Sequence, residues 1–255
     1  VGPVVIWVLA FFRLLQGVAL GGAWDGLPSL LALNAPKESR GWYSMIPQLG
    51  APLGLALACG LFAYFHAILD DSDFLRWGWR YPFFVALAIN VVALFARLRI
   101  VATPEFTRLF ENRELQPSPP FETLRAQWRV ILLGAFAPLA SFALFHVITV
   151  FPLSYSQLFG QAQPTRFLIV EAVGAVIFAL AVLASGLLAD RVGRRAVLGV
   201  SAALIAAFSG FAPQLLGAGQ LGETIFLFGG FVLLGLAFGQ SAGAVNSSFE
   251  QRHRY

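Results

Sequence analysis

The 255-residue chain is 58% hydrophobic and 12% charged, with a formal net charge of +4 and a mean hydropathy of +0.75. Soluble domains carry about 25% charged residues, so this balance excludes a water-solvated globular surface. The cations sit in short loops between apolar runs instead of forming the basic face of a nucleic-acid binder, and the single cysteine, Cys59, excludes an intrachain disulfide.

A membrane-crossing helix needs about 20 mostly apolar residues. Seven runs meet that requirement, near 4–33, 42–68, 79–98, 129–153, 167–188, 196–216 and 223–246. The predicted class is all-α, a polytopic transmembrane helix bundle. The first run contains Arg13, whose guanidinium could bind a carboxylate bidentately or pair with an acid on another helix. Trp24 falls about 20° from Arg13 around the helix, whereas Asp25 falls about 120° away and about 18 Å along it. Asp25 is either a proton carrier or a residue of the helix end. Pro28, Pro47 and Pro52 supply kink points in the first two runs. Gly50, Gly54 and Gly60 give the second run a small-residue face suited to close helix approach, and Gly229, Gly230, Gly235, Gly239 and Gly243 do the same for the seventh.

Residues 99–128 are the one long polar stretch, with Pro104, Pro117, Pro119 and Pro120 among charged residues. They separate three runs from four and read as a linker. The predicted organisation is 1–98 as one group of helices, 99–128 as the linker, and 129–255 as a second group. His146 in the fourth run is either a hydrogen-bonded packing residue or a proton or ligand site. Glu171, early in the fifth, is either a buried proton carrier or a side chain reaching the interface. His66 and Glu223 fall near helix ends. Thirteen cations, among them Lys37, Arg40, Arg97, Arg191, Arg194, Arg195 and Arg252, collect on one side of this arrangement, against Arg76, Arg80 and Arg166 on the other. The positive-inside rule makes the thirteen-cation side, and the linker with it, cytoplasmic; the expected location is a plasma (inner) membrane.

Between the fifth and sixth runs stand Gly186, Asp190, Arg191, Gly193, Arg194 and Arg195. The glycines permit a close approach and a sharp turn, and Asp190 is expected to accept hydrogen bonds at the start of the following helix. The pattern G-x-x-x-D-R-x-G-R-R resembles the cytoplasmic signature loop of the major facilitator superfamily. Arg13, Gln16 and Gly17 followed by Gly21, Gly22 and Trp24 resemble the R-x-x-Q-G…G-G-E-W signature of its metabolite:proton symporter branch, which includes α-ketoglutarate, shikimate, citrate and proline/betaine permeases. Pro47, Gln48, Gly50, Pro52 and Gly54, then Trp77 to Phe83, Thr103 to Phe106 and Phe249 to Tyr255, continue the resemblance in order. Two departures stand out: Ala23 replaces the usual Glu, and Leu33 replaces an acid before the Ala35–Pro36 pair.

The resemblance implies helices 4 to 10 of a twelve-helix protein, hence a piece of a longer chain. It also implies a secondary transporter, not an enzyme, working by alternating access with its substrate site near the midplane. The expected cargo is a small organic anion or zwitterion moved with protons by a protein that is monomeric when complete. Candidate substrate contacts are Arg13, Trp24 and Gln48; candidate proton-coupling residues are Glu171, His146 and Asp25; the signature loop would switch conformation. The alternative is a remnant with no transport activity. No cofactor or metal is expected. The sole lysine lies in a loop, which excludes an intramembrane Schiff base, and no hydrolase motif appears.

Overall fold

The computed structural model describes residues 2–24, 36, 39–101, 120–136, 138–158 and 163–248. Asp25, Lys37, most of the predicted linker (102–119) and the 249–255 motif lie outside the described residues, as does the side chain of Trp24. Among the described residues the chain is helical, with no strand. In hydrocarbon every backbone N–H and C=O must find its partner inside the segment, which a helix alone among open structures achieves.

Helix α1 (Pro3–Trp24) exposes every described side chain from Gly2 to Ala19. Helix α2 (Arg40–Met45) leads through a 3-10 turn at Ile46–Leu49 into α3 (Gly50–Ile68). Helix α4 (Asp71–Arg76) is capped by Asp70, whose carboxylate accepts from the Asp73 N–H at 2.9 Å. Then come α5 (Tyr81–Val101), α6 (Pro120–Phe136), α7 (Leu139–Thr149) and α8 (Phe151–Leu158). Helices α9 (Pro164–Val192), α10 (Arg194–Gly210), α11 (Ala212–Gly217) and α12 (Gly219–Ser248) complete the described chain. The ends of the predicted 99–128 linker are therefore helical: α5 continues through Val101 and α6 begins at Pro120.

Among the described residues, five helical stretches are long and apolar enough to cross a membrane: Gly41–Ile68, Gly78–Ala96, Leu124–Tyr155, Pro164–Val192 and Gly219–Val245. The first predicted run appears as a shorter apolar helix, Pro3–Ala19. The sixth is divided, because Pro213 cannot continue the preceding helix and starts α11 after a break at Phe211.

α9 and α12 form the centre, with α3, α7 and α10 packed around them. Phe178, Val182, Phe226, Phe231, Leu234 and Ile148 are essentially inaccessible there, and Phe178 stacks on Phe231 with ring centroids 6.2 Å apart. The small residues of α12 account for the closeness. A Cβ on Gly235 would lie 2.7 Å from the Phe178 carbonyl oxygen and would collide with Ala181, so the backbones touch at that position. The expected small-residue face of α3 needs correction. A Cβ on Gly50, Gly54 or Gly60 would meet nothing within 4 Å. Gly54 borders an open apolar groove facing Pro82, Ala86 and Ile89 of α5.

Candidate functional site

The signature loop is built by a helix that stops and one that starts with a single residue between them. α9 runs through Asp190 to Val192, Gly193 takes φ +89° and ψ 143°, and α10 begins at Arg194. That backbone conformation disfavours any residue with a Cβ. Asp190 does not cap α10, as its position in sequence had suggested. It still belongs to the last turn of α9, and no side chain caps α10. Its carboxylate instead accepts from the backbone N–H groups of Gly41 (2.7 Å) and Trp42 (3.1 Å), some 149 residues away in sequence at the start of α2. Those N–H groups lack partners within their own helix, and their partial positive charge favours an anion.

Two glycines make the contact possible. A Cβ on Gly41 would lie 2.6 Å from the Asp190 Oδ1, and one on Gly186 would lie 2.9 Å from the Met45 Cγ and 3.2 Å from the Trp42 Cα. Arg194 fastens the same junction from α10. Its Nη2 donates to the Ser44 Oγ (3.1 Å), its Nη1 to the Gly243 carbonyl (2.5 Å) and its Nε to the Gln240 Oε1 (3.3 Å). Gln240, fully buried, donates in turn to the Gly41 carbonyl and the Ser185 Oγ, both at 3.4 Å. The loop thus joins a segment before the polar stretch to two helices after it. Arg191 and Arg195 are exposed.

Sequence reasoning singled out Asp190 and Arg194 but not Gly41 or Ser44 as their partners. Neither residue carries a signal by itself. Gln240 stands in the sequence only as a polar residue late in the seventh apolar run.

The other candidates are scattered. Arg13 is exposed on α1, and its Nη1 donates to the Gln16 Oε1 on its own helix at 3.3 Å. Gln48 is buried in the 3-10 turn between α2 and α3, and no described contact joins it to Arg13. The His146 Nδ1 lies 2.9 Å from the Phe142 carbonyl of its own helix, with its ring exposed.

Glu171 is different. It is 3% exposed, and its Oε2 accepts from the thiol of Cys59 (3.5 Å), itself 4% exposed, on the facing α3. Its Oε1 has no hydrogen-bond partner among the described residues. Nearer the same helix ends, His66 Nδ1 and Thr165 Oγ1 lie 3.2 Å apart, again between α3 and α9. Glu223, predicted to reach the interface, is held by Arg166 at 3.0 Å, and Arg166 also donates to the Gln220 carbonyl and Thr224 hydroxyl at 3.2 Å.

The description Major Facilitator Superfamily matches residues 2–255. The chain is 35% identical over 254 residues to the inner membrane metabolite transport protein YhjE of Escherichia coli K12, covering 97% of this chain and 58% of that one. It is 30% identical to the shikimate transporter of the same organism, covering 80% of this chain and 47% of that one. Against the Escherichia coli K12 proline/betaine transporter it is 27% identical, covering 95% of this chain and 50% of that one. The chain thus spans between about half and three-fifths of the length of these curated relatives. No solved structure matches it.

Proposed function

We propose, for a chain that belongs to the major facilitator superfamily, an integral membrane family of transport proteins and not of enzymes, that the protein is a secondary active transporter of a small organic acid or zwitterion. In this reading it works with protons and by alternating access between two helix groups, 1–98 and 129–255, joined by a cytoplasmic linker at 99–128. Similarity over most of this chain to metabolite, shikimate and proline/betaine transporters supports the class of cargo and does not favour an inactive remnant.

The observation that carries the reading is the bond from Asp190 to the backbone of Gly41 and Trp42. It joins a helix of the first group to one of the second, as a latch between two moving bodies would. With the basic loop on the cytoplasmic side, the latch closes the cytoplasmic mouth, and Arg191 and Arg195 face anionic headgroups. Arg13, Trp24 and Gln48 remain the proposed substrate contacts. Proton handling rests on Glu171, His146 or Asp25.

The test is uptake of labelled shikimate and labelled proline into vesicles carrying the whole protein, with and without an imposed proton gradient. Symport predicts accumulation that a protonophore abolishes, and an Arg13→Ala protein that loses uptake of the acid. Uptake indifferent to both would remove the coupling and the role of Arg13.

A further inference from the structure

The continuous stretch of α2 and α3 runs antiparallel to α9 and touches it at successive levels. Gly41 and Met45 of α2 meet Asp190 and Gly186 at the basic-loop end, while Cys59 and His66 of α3 meet Glu171 and Thr165 toward the opposite end. The seam is therefore shut at both ends, but unequally. At the loop end α2 is held by four hydrogen bonds, two of them from its backbone N–H groups to the Asp190 carboxylate of α9, one from Arg194 of α10 and one from the buried amide of Gln240 of α12. The opposite end is crossed by a thiol–carboxyl contact and an imidazole–hydroxyl contact. Alternating access requires one end to part, and the weaker end is the one containing Glu171.

The surroundings of Glu171 determine what parting depends on. Burial of this side chain is complete within the described helices themselves. Cys59 is the only polar side chain described in contact with it, from α3. Arg166 is on the same helix but five residues earlier, about 140° around it, and is bonded to Glu223, Gln220 and Thr224 of α12. His66 of α3 is bonded to Thr165. Arg194 and Arg195 of α10 begin that helix at the loop end, Arg194 being bonded to Ser44, Gln240 and Gly243. Among the described residues, an ionised carboxylate in such a place has one weak thiol donor and no counter-charge, and burying an unpaired charge costs far more than one such donor returns. The neutral acid fits: Oε2, as the carbonyl, accepts from the Cys59 thiol, and Oε1 carries the proton, so that no counter-ion is needed.

We propose that Glu171 is the proton-binding site that licenses closure of the α3–α9 seam at the end away from the basic loop, with Cys59 as its closing partner. Ionised, the carboxylate is stable only where water reaches it, so that end stands open. Taking up one proton on the carboxylate removes the charge, and α3 closes over it. This rests on the proton-coupled reading above and narrows its candidates to one.

The experiment places spin labels at Ser72 and Gln163, both exposed near that end of the seam, in the whole protein reconstituted in lipid. Ser72→Cys and Gln163→Cys are made with Cys59→Ser, which leaves a hydroxyl facing Glu171, and any further cysteines are replaced by serine. The inter-label distance is read in acidic and alkaline buffer. A single short distance is expected in acid, with a second population several ångströms longer in alkali. Adding Glu171→Gln, or Glu171→Ala as a second neutral side chain, leaves the short distance at both; adding His66→Gln leaves the pH response intact. A long population that persists in alkali in both Glu171 variants, a response lost with His66→Gln instead, or no response at all would overturn the proposal. Uptake measured on the same preparations separates the two readings. Proton-dependent uptake with an unresponsive distance rejects the seam role and keeps symport. A responsive distance with proton-independent uptake keeps the seam role and rejects symport.

Discussion

Arg194 reaches Ser44, Gln240 and Gly243 with three different nitrogens, which only a planar fork in fixed orientation can do. Lysine has one compact head and a shorter reach. Arg194→Lys should keep the charge and lose at least one of these bonds, each hydrogen bond to a charged group being worth about 1.5–3 kcal/mol. A lower thermal midpoint of the solubilised protein is expected. Arg191→Ala and Arg195→Ala, at exposed positions, should stay within about 0.5 kcal/mol, and a midpoint shift equal to that of Arg194→Lys would refute the distinction. Asp190 and Gly41 form a second case, because a Cβ on Gly41 would occupy the place of the carboxylate oxygen. Gly41→Ala and Asp190→Ala should each destabilise the protein by about 1–3 kcal/mol through loss of the same capping bonds. Residues sharing one interaction are not additive, so the double variant should cost little more than either single one in a melting series. Asp190 was legible from its motif, its partner was not. Capping rules are local, and the orphan N–H groups it satisfies belong to a helix 149 residues away.

The glycines of α12 and α3 look alike in sequence and behave oppositely in the fold. Gly235 lies against the Phe178 carbonyl and the Val182 nitrogen, 2.7 and 3.0 Å from where its Cβ would be. Backbone atoms cannot rotate aside, so Gly235→Ala must push α9 and α12 apart, costing about 1–3 kcal/mol as overpacking does. Gly60→Ala meets nothing within 4 Å and exchanges glycine for the best helix former, worth up to about 1 kcal/mol in water. Thermal midpoints should fall for the first and hold or rise for the second; equal losses would mean that α3 is packed where it is described as open. Which glycine stripe packs was not legible because the decision belongs to the facing helix. Phe178 and Val182 present backbone, and Ala181 its Cβ, to Gly235, while Gly54 faces a groove. The helices themselves were legible, since runs of apolar residues in a membrane have few alternatives to a helix. The break at Phe211 was missed because the apolar run continues through Pro213.

At the scale of the molecule, the seam between α3 and α9 behaves as two closures on one line, and weakening one should favour opening at that end. Ser185 reports on the loop end: it is fully buried beneath Gln240, whose amide donates to its hydroxyl oxygen. A thiol there, as Ser185→Cys with Cys59→Ser, meets a maleimide only when the junction of α2, Gln240 and α9 opens. Asp190→Ala removes two bonds that hold α2 down. If that shifts the opening equilibrium by about 1.4 kcal/mol, alkylation should quicken about tenfold. Glu171→Gln acts at the other end and keeps it shut, so in a transporter that opens one end at a time it should also quicken alkylation of the same thiol, though it touches nothing near it. Asp190 and Glu171 would then be linked through the movement of one helix pair across the length of the seam. An alkylation rate that responds to Asp190→Ala and ignores Glu171→Gln would mean that the two ends open independently, and alternating access by rocking of these helices would fail as the mechanism.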